Sequence, residues 1–331
     1  MPKEIIVAII AGSVAFVTSL LTFIYTYFAL DRQKQKYSEQ IEILRGDISN
    51  KNAERDARRD YEYEARKKLY EEYEPLFFRF AEKSEAAHFR IKSLANRSAD
   101  GRLTGSDGWL SHDAYYLQST LYFLMAPLAS FKLMRGKLTY VDLRVDKGIY
   151  STYILGKVLF NSFSDAFSIA EKTHIPYNPF EGANNTRQDI PIGITENIAE
   201  LLIIPDQGNP AIVQVSNLAH FQSVFSQNSS SDLSFFKSMV HDFHPSRSPV
   251  FWRVLVVQAI IYKVINRLRR EVTVSTKEML IKEVTDAANS ITIPNIDWRT
   301  AAEKEKITDA EIINMIPGII EYLKQAIEGY Y

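Results

Sequence analysis

Three residues in the C-terminal half of the chain carry the side chains best suited to bind a metal: His241, Asp242 and His244. Imidazole and carboxylate groups are suitable ligands for transition metals. A structural zinc site, however, normally has four protein ligands, and a catalytic site has three plus water. The sequence has no His-Glu-x-x-His motif and no cysteine that could complete the set. We therefore predict that this cluster is an exposed helix end and that the protein binds no metal.

Other residues could act in acid–base catalysis. His112 and Asp113, near Trp109, would form an acid–base pair if they faced a substrate. The simpler interpretation places both in the first turn of a helix, where the positive end of the helix dipole stabilises Asp113. Asp165 and Glu171 fit ordinary helix carboxylates, because nothing in their spacing pairs them.

The sequence contains no motif for nucleotide binding or acyl transfer. The phosphate-binding patterns G-x-x-x-x-G-K-[ST] and G-x-G-x-x-G and the nucleophile elbow G-x-S-x-G do not occur, so we predict no cofactor. Arg267, Arg269 and Arg270 form a basic cluster near a predicted helix end, where the negative pole of the helix explains them better than a bound phosphate. The net charge of −1 and the pI near 6.6 give no basic field, so nucleic acid is not a predicted partner.

The element that positions everything else is Ile5–Leu30, a run of twenty-six residues without a charge. About twenty residues of helix cross the hydrocarbon layer of a bilayer, and the backbone must be helical there to pair its polar groups. A cleaved signal peptide has a shorter apolar run and a small-residue cleavage site, and a buried soluble helix of this length is unusual. We therefore predict that residues 1–30 are a retained transmembrane anchor in the lipid bilayer.

Basic residues on the carboxyl side of the anchor predict its orientation. Arg32, Lys34 and Lys36 follow the apolar run, whereas Lys3 and Glu4 precede it. Lys and Arg near a span tend to remain cytoplasmic. The expected location is the inner (cytoplasmic) membrane, as a single-pass protein with its N-terminus outside and residues 65–331 in the cytoplasm.

Small residues recur along one face of the anchor, at Ala8, Gly12, Ala15 and Ser19. Such residues let transmembrane helices approach closely, which favours self-association into a homo-oligomer. The alternative is that small residues are simply common in membrane helices. Both interpretations stay open at this point.

Residues 31–64 are rich in charged side chains, and the spacing of these charges predicts a helical stalk. Acidic residues precede basic ones by four positions, as in Glu54 and Arg58, which stabilises a helix. A second stretch of candidate oligomerisation residues follows coiled-coil spacing: Tyr37, Ile41, Leu44 and Ile48. The pattern ends at Lys51 after about two heptads, fewer than a long coiled coil needs.

The apolar pattern of residues 65–331 predicts one all-α domain, with a body like a helical bundle. An apolar face returns at Leu69 and Tyr73, while Pro75 marks either a kink or a new helix start. Lys137–Val145 alternates like a strand or an extended link, and His174–Asn197 is expected to be a loop. The predicted helices are 111–134 with Ser111 as N-cap, 147–172 capped by Asp146, 196–204, 212–226, 233–243, 250–270, 276–290 and 309–330.

Two stretches of this body, Leu69–Ala95 and Tyr115–Leu143, resemble a group of bacterial single-pass membrane-anchored helical proteins. The likeness covers about a quarter of the chain and lies in the core pattern. It implies a bacterial source and a helical fold. It brings no function and no site residues.

Two functions remain as hypotheses. The first is a membrane-anchored, oligomeric scaffold, sensor or effector that contacts a cytosolic protein partner, with bacterial immunity as one setting. The second is a membrane-tethered enzyme with an unfamiliar helical active site. A deep polar pocket holding several of His88, His112 and His220 would favour the enzyme, and a solid core would favour the scaffold.

Overall fold

The N-terminal third of the chain forms a single α-helix, α1, from Lys3 to Ala99. Pro75 lies inside α1 and does not end it. Ion pairs one turn apart, such as Arg58 with Glu62 at 3.1 Å, accompany the charged part of the helix. These side chains are exposed, so each pair contributes only a few tenths of a kcal/mol, roughly 0.3–0.5.

The remaining elements follow in chain order in this computed structural model, which describes residues 2–138, 143–181, 188–206, 208, 212–227, 231–270, 274, 276–291 and 315–331. Helices α2 to α10 are Tyr115–Lys137, Lys147–Asn161, Ala166–Lys172, Ile192–Leu201, Leu218–Gln227, Ser231–Val240, Pro249–Arg270, Lys277–Asn289 and Met315–Tyr330. A 3-10 turn, Leu143–Val145, precedes α3. Strands β1 (Ile203–Pro205) and β2 (Val213–Val215) pair antiparallel, with Ile203 opposite Val215. The described residues are mostly helical, which confirms the all-α class.

The chain divides into two units, Met1–Glu64 and Ala65–Tyr331. Among the described residues, two helices are long and apolar enough to cross a membrane: the first part of α1, and α8. None of the apolar window in α1 is buried, whereas 83% of that in α8 lies inside the second unit.

Helix α8 is the centre of the second unit. Its apolar residues cover nearly the whole circumference, the pattern of a helix enclosed by others. Trp252 and Ile260 are fully buried, and Phe251 packs edge-to-face on Phe243 with ring centroids 5.4 Å apart. Helices α3, α4, α9 and α10 surround it. As predicted, α8 lies in the core, despite Arg253 and Lys263.

The segment around α2 differs from the prediction at both ends. Helix α2 begins at Tyr115, and Ser111 does not cap it, because the Ser111 hydroxyl instead donates to the Asp242 carboxylate. Lys137 ends α2 and residues 143–145 form the 3-10 turn, so the predicted strand is wrong wherever the structure describes this stretch. Residues 139–142 lie outside the described part.

Between α3 and α6 the chain forms more and shorter helices and strands than predicted. The Asp146 carboxylate accepts from the backbone N–H groups of Gly148 and Ile149, which confirms the predicted cap. The expected helix 147–172, however, is broken between Asn161 and Ala166. The predicted loop 174–197 contains the start of α5, and the predicted helix 212–226 begins as strand β2; residues 182–187 are not described. Strands of three residues are too short to show alternation.

Helix α10 approaches the backbone of α4 very closely at Gly318. A Cβ atom at Gly318 would lie 2.3 Å from the carbonyl oxygen of Lys172. Only glycine fits there, because a backbone atom inside a packed helix cannot easily move. Ile312 and Ile313, also predicted in this helix, lie outside the described residues.

We expect Gly318→Ala to destabilise the second unit by about 3 kcal/mol through this clash. Gly329→Ala is the matched control in the same helix, since nothing lies within 4 Å of a Cβ there and alanine favours helix. Thermal unfolding followed by circular dichroism measures both. Equal stability of the two variants would contradict this packing.

Candidate functional site

The eight predicted oligomerisation residues all lie on the exposed surface of α1 in the first unit. At Gly12 the space where a Cβ would stand is open, so a second helix can approach the backbone. In the charged part of the helix, 50–58% of each of four apolar residues is exposed: Tyr37, Ile41, Leu44 and Ile48. An apolar row of this kind is left uncovered within a single copy.

Hydroxyl groups inside the uncharged segment are paired within the helix. Thr18, Thr22 and Thr26 each donate to the carbonyl oxygen four residues earlier, at 2.7, 2.8 and 2.6 Å. Ser13 does the same to Ile9 at 2.7 Å. These bonds remove the need for water at those side chains, so the segment tolerates an apolar environment.

The His241 cluster follows the end of α7, as predicted, but it is only partly exposed and forms a junction with the loop before α2. Asp242 has a positive φ of 52°, and its carboxylate accepts from the Ser111 hydroxyl. The Nε2 atom of His241 lies 3.0 Å from the Ser111 carbonyl oxygen, while His244 is buried, with Nδ1 2.7 Å from the Ser246 hydroxyl. Among the described residues, no three His, Asp or Glu side chains converge as metal ligands.

His112 and Asp113 lie in the loop before α2 and not in its first turn. His112 contacts the carbonyl oxygen of Ser106 at 2.8 Å, and the Asp113 carboxylate pairs with Lys237 of α7. The predicted helix dipole therefore does not explain Asp113. Both side chains hold this loop in place.

The other histidines are dispersed. The Nδ1 atom of His88 lies 3.1 Å from the Ala259 carbonyl oxygen, and burial lowers the pKa of this imidazole. His220 is exposed on α6. A cleft of about 370 Å³ is lined by Asp113, Gln118 and Lys237, among others, and a groove of about 570 Å³ lies along α1 at Phe89 and Arg97; neither contains a histidine.

The basic cluster near the end of α8 joins helices. Arg267 pairs with Glu283 of α9 at 3.1 Å. Arg269 lies 3.9 Å from the Glu85 carboxylate and 4.1 Å above the ring of Phe78, both on α1. Contacts with specific side chains explain the positions of Arg267 and Arg269 better than the negative helix pole that we predicted. The side chain of Arg270 lies outside the described part.

Asp165 is bound by a helix that is distant in sequence. The Tyr322 hydroxyl of α10 donates to the Asp165 carboxylate at 2.9 Å. Burial raises the pKa of Asp165, and the Tyr322 hydrogen bond only partly opposes this. Burial, together with the Asp165 charge, raises the pKa of Tyr322 well above its ordinary value. This contact across 157 residues had no sequence signal.

The end of α10 is held by three polar side chains of α3. The Tyr150 hydroxyl donates to the Tyr330 carbonyl oxygen at 3.3 Å, and Asn161 donates to the Tyr330 hydroxyl. The hydroxyls of Tyr331 and Ser151 lie 2.6 Å apart. The broad apolar face of α10 therefore docks on the same domain, one of two arrangements that its pattern allows.

Cations lie over aromatic rings where α1 meets α2. Arg90 lies 4.6 Å from the ring centroid of Tyr116, and Arg97 lies 4.8 Å from that of Trp109. Lys83 donates to the Tyr122 hydroxyl at 2.9 Å. Such contacts contribute about 0.5–1 kcal/mol each at exposed sites. They fix the packing of these helices, and sequence reasoning missed them.

No family model, curated protein or solved structure matches this chain. The resemblance of Leu69–Ala95 and Tyr115–Leu143 to membrane-anchored helical proteins therefore stays an expectation about fold, without an activity.

The raised pKa of Asp165 predicts a pH dependence of stability. Because folding favours the protonated carboxyl, the contribution of Asp165 is fully present below its ordinary pKa of 3.8 and is lost as pH rises through the folded-state value. Asp165→Asn keeps an acceptor for Tyr322 and does not titrate. We expect its melting temperature, relative to the unmodified protein, to rise by about 2 °C between pH 3.5 and pH 7.

Thermal unfolding across this pH range gives the comparison. Tyr322→Phe is the control, because it removes the bond that lowers the pKa and is expected to steepen the pH dependence. Parallel curves for the Asn variant and the unmodified protein would contradict the assignment.

Proposed function

We propose that this protein is a single-pass membrane-anchored scaffold or effector, whose copies associate through α1 and present a helical body to a protein partner at the cytoplasmic face. The observation that carries the proposal is the exposed, uncharged segment Ile5–Leu30, which continues without a break into a charged helix. Exposing apolar surface to water costs roughly 25 cal/mol per Å², so this segment is unfavourable in water unless something covers it.

The length and chemistry of this segment support a span. Its residues are enough to cross the ~30 Å hydrocarbon layer, and the hydroxyls of Thr18, Thr22 and Thr26 are paired within the helix. Tyr25 and Tyr27 lie near its end, at the level where tyrosine meets the headgroups.

The flanking charges support the orientation. Arg32, Lys34 and Lys36 follow the segment and favour a cytoplasmic body. In that position they also lie near anionic lipid headgroups, at about 1 kcal/mol for each cation.

Contacts in the body support binding over catalysis. Three candidate catalytic histidines contact backbone carbonyls: His112 and His241 contact Ser106 and Ser111 of the loop before α2, and His88 contacts Ala259 of α8. Helix α8 fills the interior with apolar side chains. The enzyme alternative has less support because neither of the two clefts described above, within the described part of the body, is lined by a histidine, and the charge balance does not favour nucleic acid.

A reporter fused after Tyr331 tests the anchor and its direction. We expect the fusion to sediment with membranes and to report a cytoplasmic location, while deletion of residues 2–30 releases it into the soluble fraction. Replacing Arg32, Lys34 and Lys36 with Gln is the matched variant, expected to increase the inverted fraction. A soluble full-length fusion would overturn the anchor, and periplasmic reporter activity would overturn the orientation.

A further inference from the structure

One face of α1 can be followed without interruption from the uncharged segment into the charged one. Steps of four or three residues, averaging about 3.6, keep a row of side chains on one side of an α-helix. Since α1 is continuous from Lys3 to Ala99, no break shifts this row. The row, here called the stripe, consists of Ala8, Gly12, Ala15, Ser19, Thr22, Thr26, Leu30, Gln33, Tyr37, Ile41, Leu44 and Ile48.

The opposite face of the same helix has the reverse composition. In the uncharged segment the residues opposite the stripe are mostly large and apolar, with Ser13 as an exception: Ile10, Val14, Val17, Leu21, Ile24 and Phe28. In the charged segment they lack apolar side chains: Gln35, Glu39, Glu42 and Gly46. The stripe thus changes from small to large apolar residues close to Asp31, where its opposite face changes from apolar to polar.

An interface that runs from lipid into water requires this reversal of composition. In lipid, small residues allow close helix contact and large apolar residues face the acyl chains. In water, apolar residues face the partner and charged residues face the solvent. The apolar row from Tyr37 to Ile48 is a separate signal from the small residues, and their spacing places both on the same side of the continuous helix α1.

We propose that the stripe is one continuous interface with a second copy of this chain, parallel and in register from the membrane to Ile48. This inference rests on the proposed anchor, because copies of a single-pass protein enter the membrane in the same direction. Their charged segments then run parallel. Arg45 and Asp47 flank opposite sides of the stripe, so in a two-fold pair the side with Arg45 faces the partner's side with Asp47.

The spacing also predicts how the two helices run. A strict seven-residue repeat imposes a left-handed supercoil and an eleven-residue repeat a right-handed one, so the stripe predicts nearly straight helices with a slight right-handed winding. Ala15, Thr26, Tyr37 and Ile48 recur every eleven residues and therefore lie nearly above one another. Gln33, polar and central in the stripe, can donate to its counterpart and favour the in-register pair.

The chain has no cysteine, so single substitutions give unambiguous disulfide cross-linking. Four residues of the stripe are each changed to cysteine, and each has a control two positions later, about 200° around the helix. The pairs are Ala15→Cys with Val17→Cys, Thr26→Cys with Phe28→Cys, Tyr37→Cys with Glu39→Cys, and Ile48→Cys with Asn50→Cys. Native membranes are treated with a mild oxidant, and the dimer fraction is read on non-reducing gels.

We expect at least fivefold more dimer at each stripe position than at its control, in all four pairs. Adding Gly12→Leu to Ala15→Cys, or Leu44→Asp to Ile48→Cys, should reduce that dimer about fivefold. Equal cross-linking within pairs, or its absence at all positions, would overturn the stripe. Cross-linking at Tyr37 and Ile48 alone would overturn its continuity into the membrane.

Membrane sedimentation of every variant separates this inference from the proposed anchor. Variants that sediment but show no stripe preference refute the interface and leave the anchor intact. If the variants do not sediment, the anchor itself is refuted.

Discussion

The apolar surface of Ile5–Leu30 is the constraint on which the account of this protein depends. The body buries the apolar helix α8 on almost every side, but the described residues supply no cover for the first part of α1. Under the proposed function, a bilayer covers most of this surface, and a second copy covers the remaining stripe. The charged segment that follows then lies in water, where its own apolar row needs the same partner.

The second unit is organised differently, by contacts that are far apart in sequence. Ser111 binds Asp242, His88 contacts the backbone of α8, and Tyr322 binds Asp165. In each contact, a polar side chain of a type common in active sites holds one helix or loop against another. A buried polar group that is satisfied in this way specifies packing and leaves little chemistry for a substrate.

Sequence reasoning predicted the features that depend on local pattern. The burial of α8, the Asp146 cap and the helix starting after Thr276 follow from periodicity and capping chemistry, and the structure confirms them. The break after Asn161, the short strands β1 and β2 and the buried junction at His244 were missed, because each depends on partners that sequence spacing does not identify. The two stretches of candidate oligomerisation residues were predicted on one helix that leaves the membrane, and α1 is continuous through both.

The mass of the detergent-solubilised protein tests the central claim most directly. Light scattering after size exclusion compares the full chain with residues 65–331, the second unit alone. The account predicts an oligomeric full chain and a monomeric second unit, because α1 carries the interface. A monomeric full chain at every accessible concentration, or an oligomeric second unit, would contradict it.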